Sequence, residues 1–165
     1  MIDPTQLGTL GTDELTAALR PLWEDAGPLV ATLVGRAVNS WEEHLDVAEA
    51  AITSMDAPTQ TLLLGAHPRI GADPSRLSPL SYEEQGGGTP AEAGVTERLN
   101  ILNEAYEQRF GFPFVEWVAG REKAAILAVL EQRLARAQDE EREAGCRALV
   151  EIARDRFSKL RTEVS

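Results

Sequence analysis

Residues 122–161 read EKAAILAVLEQRLARAQDEEREAGCRALVEIARDRFSKLR, and this stretch decides the fold class. Ala, Leu, Glu and Arg, which lose little freedom in a helix, dominate it. It predicts two helices, over about 122–138 and 139–161, after a break at Gly120. Working towards the N-terminus, Val95, Leu99, Leu102 and Tyr106 recur at helical spacing. Thr89-Pro90 should open that helix and Gly111 should stop it. Phe112–Val118 is the one segment that reads as extended. Ser78-Pro79 predicts a short helix ending near Gly86-Gly87-Gly88, and Leu62-Leu63-Leu64 another, ended by Gly65 and Pro68.

The first third continues the pattern. Ser40-Trp41-Glu42-Glu43 has the form of a capping box, with Trp41, Leu45, Ala48 and Ile52 on one face of the helix it starts. Pro28 suits a first turn, followed by an apolar stripe of Leu29, Val30, Leu33, Val34 and Ala37. Thr12 is expected to cap a helix over about 13–20 carrying Leu15, Ala18 and Leu19. No repeat or linker interrupts this order. The expectation is a single all-α domain over residues 1–165, a multi-helix bundle.

Composition narrows the functional classes. With 43% hydrophobic and 26% charged residues, the 165-residue chain has the balance of a globular domain. Its 16 basic against 27 acidic residues give a net charge of −11, which disfavours nucleic acid and anionic membrane surfaces as partners. No apolar run approaches the roughly 18 residues that span a bilayer. The start, Met1-Ile2-Asp3-Pro4, lacks the basic and apolar regions of a secretion signal. The single cysteine, Cys146, forms no internal disulfide and no cysteine zinc site. Together these point to the cytoplasm. An anionic ligand would still need a locally positive site within a repelling field.

Few residues carry chemistry. On a helix, Ser81, Glu84 and Gln85 stand three and four positions apart, so a hydroxyl, a carboxylate and an amide converge on one patch. The ordinary alternative is a polar face turned to water. His67 precedes Pro68, which biases its backbone away from the α region and presents an imidazole at a helix exit. Its ordinary alternative is a histidine bonded to the last helical carbonyls. His44, beside Glu42 and Glu43, reads as a solvated surface residue, and no histidine spacing supports a metal site. Gly86-Gly87-Gly88 lacks the lysine of a phosphate loop. Gly120-Arg121 could hold an anion with backbone amides and a guanidinium, or be solvated.

Three blocks in order resemble one family closely: Ala66-His67-Pro68-Arg69-Ile70-Gly71, then Leu80-Ser81-Tyr82-Glu83-Glu84-Gln85, then Leu102–Phe114 with its ending Phe110-Gly111-Phe112-Pro113-Phe114. The family is that of the 2-oxo-4-hydroxy-4-carboxy-5-ureidoimidazoline (OHCU) decarboxylases of urate degradation. The resemblance runs from about Trp41 into the C-terminal helices and is most specific over 66–121. It implies an all-helical, cofactor-free and metal-free homodimer that releases carbon dioxide and forms (S)-allantoin. By position, His67 matches the catalytic histidine, and Glu84 joins it as a catalytic partner. Ser81, Glu84 and Gln85 match the family's substrate-binding face, and Pro68 its pocket rim. Many members carry an arginine where this chain has Ala119, and Arg121 is the expected replacement. Glu116-Trp117 also departs from the small or aliphatic residues common there. Two alternatives stay open at this stage: a catalytically silent helical interaction protein, and an enzyme acting on a related ureide or hydantoin.

Overall fold

The computed structural model describes residues 1–71, 79–85 and 93–162, apart from the side chains of Leu80, Ser81, Glu84 and Ala93. A 3₁₀ turn, Pro4–Thr9, leads into α1 (Thr12–Trp23), α2 (Gly27–Leu33), α3 (Trp41–Ser54) and α4 (Ala57–Gly65). Then follow α5 (Pro79–Glu84), α6 (Ala93–Phe110), α7 (Lys123–Arg133) and α8 (Gln138–Thr162). No strand occurs among the described residues. The chain is all-α.

The longest helix organises the rest. α8 packs against α1, α3 and α4, while α2 bridges those three and α6 pairs with α7. Cys146, Leu149, Val150, Ala153 and Phe157 of α8 are buried, a spacing that turns one face inward for most of its length. Opposite them lie Leu15, Leu19 and Leu22 of α1, Leu45, Ala48 and Ile52 of α3, and Leu63 and Leu64 of α4. Gly145 lets α4 and α8 approach closely. A Cβ there would lie 2.9 Å from the Leu64 Cδ2 atom.

Local chemistry explains the helix ends and shifts some of them. Ser40 accepts from the Glu43 amide at 3.0 Å, as the capping box requires, but Glu43 reaches back to the Asn39 amide rather than to Ser40. The start of α1 is corrected: Gly11, not Thr12, is the cap, and the Glu14 carboxylate accepts the Gly11 amide at 3.2 Å. The helix also runs on to Trp23 in spite of Pro21, which gives up one ladder bond, and the Arg20 carbonyl still receives the Glu24 amide at 3.0 Å. The boundary between the last two helices falls earlier than 138. There Glu140 folds back to accept the Ala137 amide at 3.1 Å and starts α8 afresh. Thr89-Pro90, Ser78 and Gly86-Gly87-Gly88, expected as starts and a stop, lie outside the described residues.

Phe112–Val118 stays non-helical and is held by aromatic and ionic packing. Tyr106 touches Phe110, Phe114 and Phe112 with ring centroids 4.5, 5.3 and 6.1 Å apart, all four rings buried. The Tyr106 hydroxyl donates to Glu141 at 2.6 Å, and Arg133 Nε donates to the same oxygen at 2.8 Å. Burial, together with the Glu141 bond, raises the Tyr106 pKa and keeps the phenol protonated. Arg133 also donates to Glu116 at 2.5 Å and lies over the Phe114 ring. A buried carboxylate such as Glu141 would be costly alone, and Arg133 and Arg136 both pair with it. This network fixes the 111–121 segment onto α6, α7 and α8.

Candidate active site

α4 ends at Gly65, and Pro68 prevents further winding because it has no amide proton to donate. The His67 amide, just past the Ala66 cap, still reaches the Leu64 carbonyl at 3.1 Å, and the residue borders a pocket. Its Nδ1 lies 3.1 Å from the Pro68 carbonyl. A carbonyl only accepts, so Nδ1 carries the proton and Nε2 keeps the lone pair. Nε2 is buried and has no hydrogen-bond partner among the described residues. Burial, and secondarily the positive charge of Arg156, lower the His67 pKa to about 4, against smaller opposing effects of the Pro68 bond and Glu24. At neutral pH this imidazole is an uncharged base.

The loop after His67 is pinned from two helices. Gln85, just past α5, accepts the Gly71 amide at 2.7 Å and donates to the Arg69 carbonyl at 3.2 Å. Asn103 of α6 donates to the Ile70 carbonyl at 2.9 Å, and Arg69 forms a two-pronged pair with Glu107. Gly71 has φ +80°, and a Cβ would meet Leu99 at 2.9 Å, so glycine alone fits this turn. The Gln85 amide thus fastens the loop through both its polar atoms. α5 carries Ser81 and Glu84 on its backbone, and their side chains lie outside the described residues.

His67 borders a cavity of about 360 Å³. Ile70 and Gln85 contribute to one part of its lining, Glu116 to Gly120 another, and Ile152, Asp155 and Lys159 of α8 a third. Ala119 is part of the lining, in a left-handed conformation (φ +52°) that precedes Gly120 at φ +72°. For alanine that conformation costs of order 1 kcal/mol. Pro68 is half-buried beside His67 but lies outside this lining, as does Arg121. The Arg121 guanidinium donates to Glu116 at 2.7 Å, to the Val118 carbonyl at 3.0 Å and to the Trp117 carbonyl. It braces the turn.

Two features escaped the sequence reading. His44 was expected in solvent but is buried, accepting the Trp23 indole proton at 3.1 Å, and burial lowers its pKa to about 4. Its spacing from Trp41, Leu45 and Ala48 is the signal that adjacent glutamates obscured. The second is α8 itself. Arg156 is fully buried and paired with Glu24 at 3.1 Å, and Lys159 lies 2.6 Å from Asp155. Charged residues three, four and seven positions after Ile152, on an otherwise apolar face, are the corresponding signal. Among the described residues no group of three or more His, Cys, Asp or Glu side chains is placed to hold a metal.

An uncharged, half-buried imidazole beside a polar-edged cavity in an all-helical protein is an arrangement able to move a proton on a small polar molecule. A sequence profile described as "OHCU decarboxylase" matches residues 8–158, and the chain belongs to that family. It is 29% identical to the 2-oxo-4-hydroxy-4-carboxy-5-ureidoimidazoline decarboxylase of Amia calva, covering 96% of this chain and 94% of that one. It is 30% identical to the enzyme of the same name from Haloferax volcanii, over 78% of each. The uric acid degradation bifunctional protein PucL of Bacillus subtilis is 28% identical over 99% of this chain, which spans only 33% of that longer protein. A crystal structure of an OHCU decarboxylase in the presence of (S)-allantoin superposes with a TM-score of 0.72 at 21% identity, covering 87% of this chain and 96% of that one. A crystal structure of (S)-allantoin synthase gives 0.69 at 21% identity, covering 96% of this chain and 54% of that one.

Proposed function

We propose that this chain is a carboxy-lyase that converts OHCU to (S)-allantoin and carbon dioxide in urate degradation. The observation that carries the reading is the His67 tautomer, with Nδ1 tied to Pro68 and Nε2 buried without a hydrogen-bond partner among the described residues, on a residue that borders a cavity.

The chemistry needs little more. The substrate's carboxylate sits on a hydroxyl-bearing ring carbon next to a carbon–nitrogen double bond. When the carbon–carbon bond to the carboxylate breaks, its electron pair forms a new ring double bond and the imine nitrogen takes a proton. The hydroxyl then gives up its proton and becomes the ring carbonyl, while the ureido-bearing carbon gains one. Carbon dioxide leaves, one proton is consumed overall, and delivery to one face sets the (S) centre. The substrate's own imine is the electron sink.

In this reading His67 Nε2 accepts the hydroxyl proton. Glu84 acts beside it, Ser81 holds polar substrate edges, and Pro68 shapes the rim by fixing the imidazole. Gln85 contributes by holding the 69–71 loop against α5, and the Ala119-Gly120 turn bounds the ring. Arg121 supports that turn through Glu116. A homodimer and a cytoplasmic location belong to the same reading, tested by light scattering of the purified chain and by cell fractionation.

The test is carbon dioxide release and circular dichroism of the product from freshly generated OHCU, compared with buffer because the substrate also decays unaided. Accelerated release with (S)-enriched allantoin is expected. Buffer-rate decay to racemic product would overturn the reading.

A further inference from the structure

α1 ends in a conformation that few residues adopt. Glu24, directly after Trp23, has φ +55° and ψ −139°, which glycine takes freely and a residue with a Cβ takes at a cost. Leu22 and Trp23 before it and Ala26 after it line a small pocket, together with His67 at the exit of α4 and Leu149 and Ile152 of α8. Arg156, one turn beyond Ile152, is gripped by the same stretch. Its guanidinium lies 3.1 Å from the Glu24 carboxylate and 3.4 Å from the Leu22 carbonyl. Arg156 is fully buried, and the Glu24 side chain is 13% exposed. The strained backbone thus delivers a carboxylate to the interior, against a guanidinium whose charge reaches His67.

Two charges among the described residues act on the imidazole, and they oppose one another. Arg156 disfavours the protonated ring and Glu24 favours it. The charged groups that line the larger cavity are engaged elsewhere: Asp155 pairs with Lys159 on α8, and Glu116 of the 111–121 segment pairs with Arg121 and Arg133. When Nε2 takes the hydroxyl proton, the ring becomes an imidazolium in the field of a guanidinium. That repulsion arises in the proton-transfer step and is absent from the resting site. A fixed carboxylate that offsets it therefore acts on the transition state more than on the bound substrate.

We propose that Glu24 is a positioning residue of the reaction: its carboxylate holds the Arg156 guanidinium in the interior and offsets its charge, so that the imidazolium of His67 can form. The proposal rests on the decarboxylase reading and brings the end of α1 into the chemistry. The backbone supplies a control. If residue 24 served only to end α1, glycine would serve it best; if the carboxylate is what matters, glycine should be as harmful as glutamine.

Four full-length proteins test this: wild type, Glu24→Gln, Glu24→Gly and Glu24→Asp. Glu24→Gln and Glu24→Gly should each lower kcat for OHCU about tenfold at little-changed KM. Glu24→Asp keeps the charge and tolerates a left-handed backbone, so its kcat should stay within about threefold of wild type. A second readout needs no substrate: the ring resonances of isotopically labelled His67 and His44, followed by NMR as the pH is lowered. In wild type both rings titrate towards about 4. Without the carboxylate His67 should lag by about one pH unit, while His44, lowered by burial, keeps its course. Wild-type kcat in the glutamine and glycine variants, a loss confined to KM, an aspartate variant as impaired as the glutamine one, or an unmoved His67 titration would overturn the proposal. If removing this counter-charge from Arg156 unfolds the chain, the same titration compares Arg156→Gln with the double variant Arg156→Gln, Glu24→Gln. His67 should lag in the double variant, and identical courses would overturn the proposal. Failure of wild type to accelerate OHCU decay would instead overturn the decarboxylase reading, while the NMR comparison still decides whether Glu24 acts on His67.

Discussion

Arg121 donates to the Glu116 carboxylate at 2.7 Å, and Glu116 in turn accepts from Arg133 at 2.5 Å. Glu116, which departs from the family's common pattern, and Arg121, the expected replacement for the arginine absent at Ala119, therefore answer one another. If bracing is their shared role, Arg121→Ala and Glu116→Gln should each raise KM only a few-fold. The double variant should be little worse than either single one. A coupling of about 0.5–1 kcal/mol is expected for a half-exposed pair. Steady-state kinetics on the three proteins checks this. An Arg121→Ala effect far exceeding that of Glu116→Gln would show the guanidinium meeting the substrate directly.

His67→Asn should reduce kcat by about 10²–10⁴-fold while far-ultraviolet circular dichroism stays at wild-type helicity. The ring contributes a base and little packing. A near-normal rate in this variant would remove proton transfer from the role of His67.

The acid limb of the rate profile is a separate expectation. With its pKa lowered to about 4 by burial, His67 stays in its basic form well below neutrality. The value of kcat/KM should hold between about pH 5 and 7 and fall with a midpoint near 4, not near the ordinary histidine value of about 6.5. A limb centred at 6.5 would mean the imidazole is wetter than its surroundings suggest.

Both histidines make the fold sensitive to acid. Unfolded, each binds a proton below about pH 6.5; folded, His44 and His67 do so only below about 4. The unfolded state therefore holds more protons in that window, and stability falls as pH drops from 6.5 towards 4. The loss is of order 3 kcal/mol for each residue by the low end. Denaturant midpoints across this range should show it, and His44→Gln should flatten the slope relative to wild type. A slope identical to wild type would indicate that His44 is not titrating there.

Glu84→Gln should cut turnover substantially, while Glu83→Gln, altering an exposed side chain, should not. Comparing kcat for the two variants checks which carboxylate of α5 serves the reaction. Equal effects would detach the chemistry from the helix face that carries Ser81 and Gln85.

The helical periodicity of residues 122–161 was enough to read the fold class, because local spacing and burial agree along a long helix. The same logic failed at His44, where the charged neighbours Glu42 and Glu43 outweighed a spacing that places the ring beside Trp23 and Trp41. Arg121 was read as reaching an anion because its partner, Glu116, is five residues away along irregular backbone, where no periodicity indicates direction. Gln85 presents a similar limit. Its hydrogen bonds span 14 and 16 residues to the backbone of another loop, and sequence spacing carries no trace of them. The charged face of α8 was visible in principle, but it acquires meaning only when the exit of α4 is brought beside it.

The close contact of Gly145 with Leu64 has a consequence beyond packing. Leu64 is three residues from His67, and Ile152, Asp155 and Lys159 follow Gly145 along α8 by about two to four turns. The separation between the base and the charged helix face is thereby gauged by a single absent methyl group deep in the interior. Adding that methyl at position 145 would press on the terminal methyls of Leu64, and to the extent that this side chain cannot turn aside in the packed interior, the strain passes to the spacing of α4 and α8. Tolerance in this protein is therefore set partly in the dry interior, where a change of a few tenths of an ångström is transmitted as misalignment rather than absorbed as disorder.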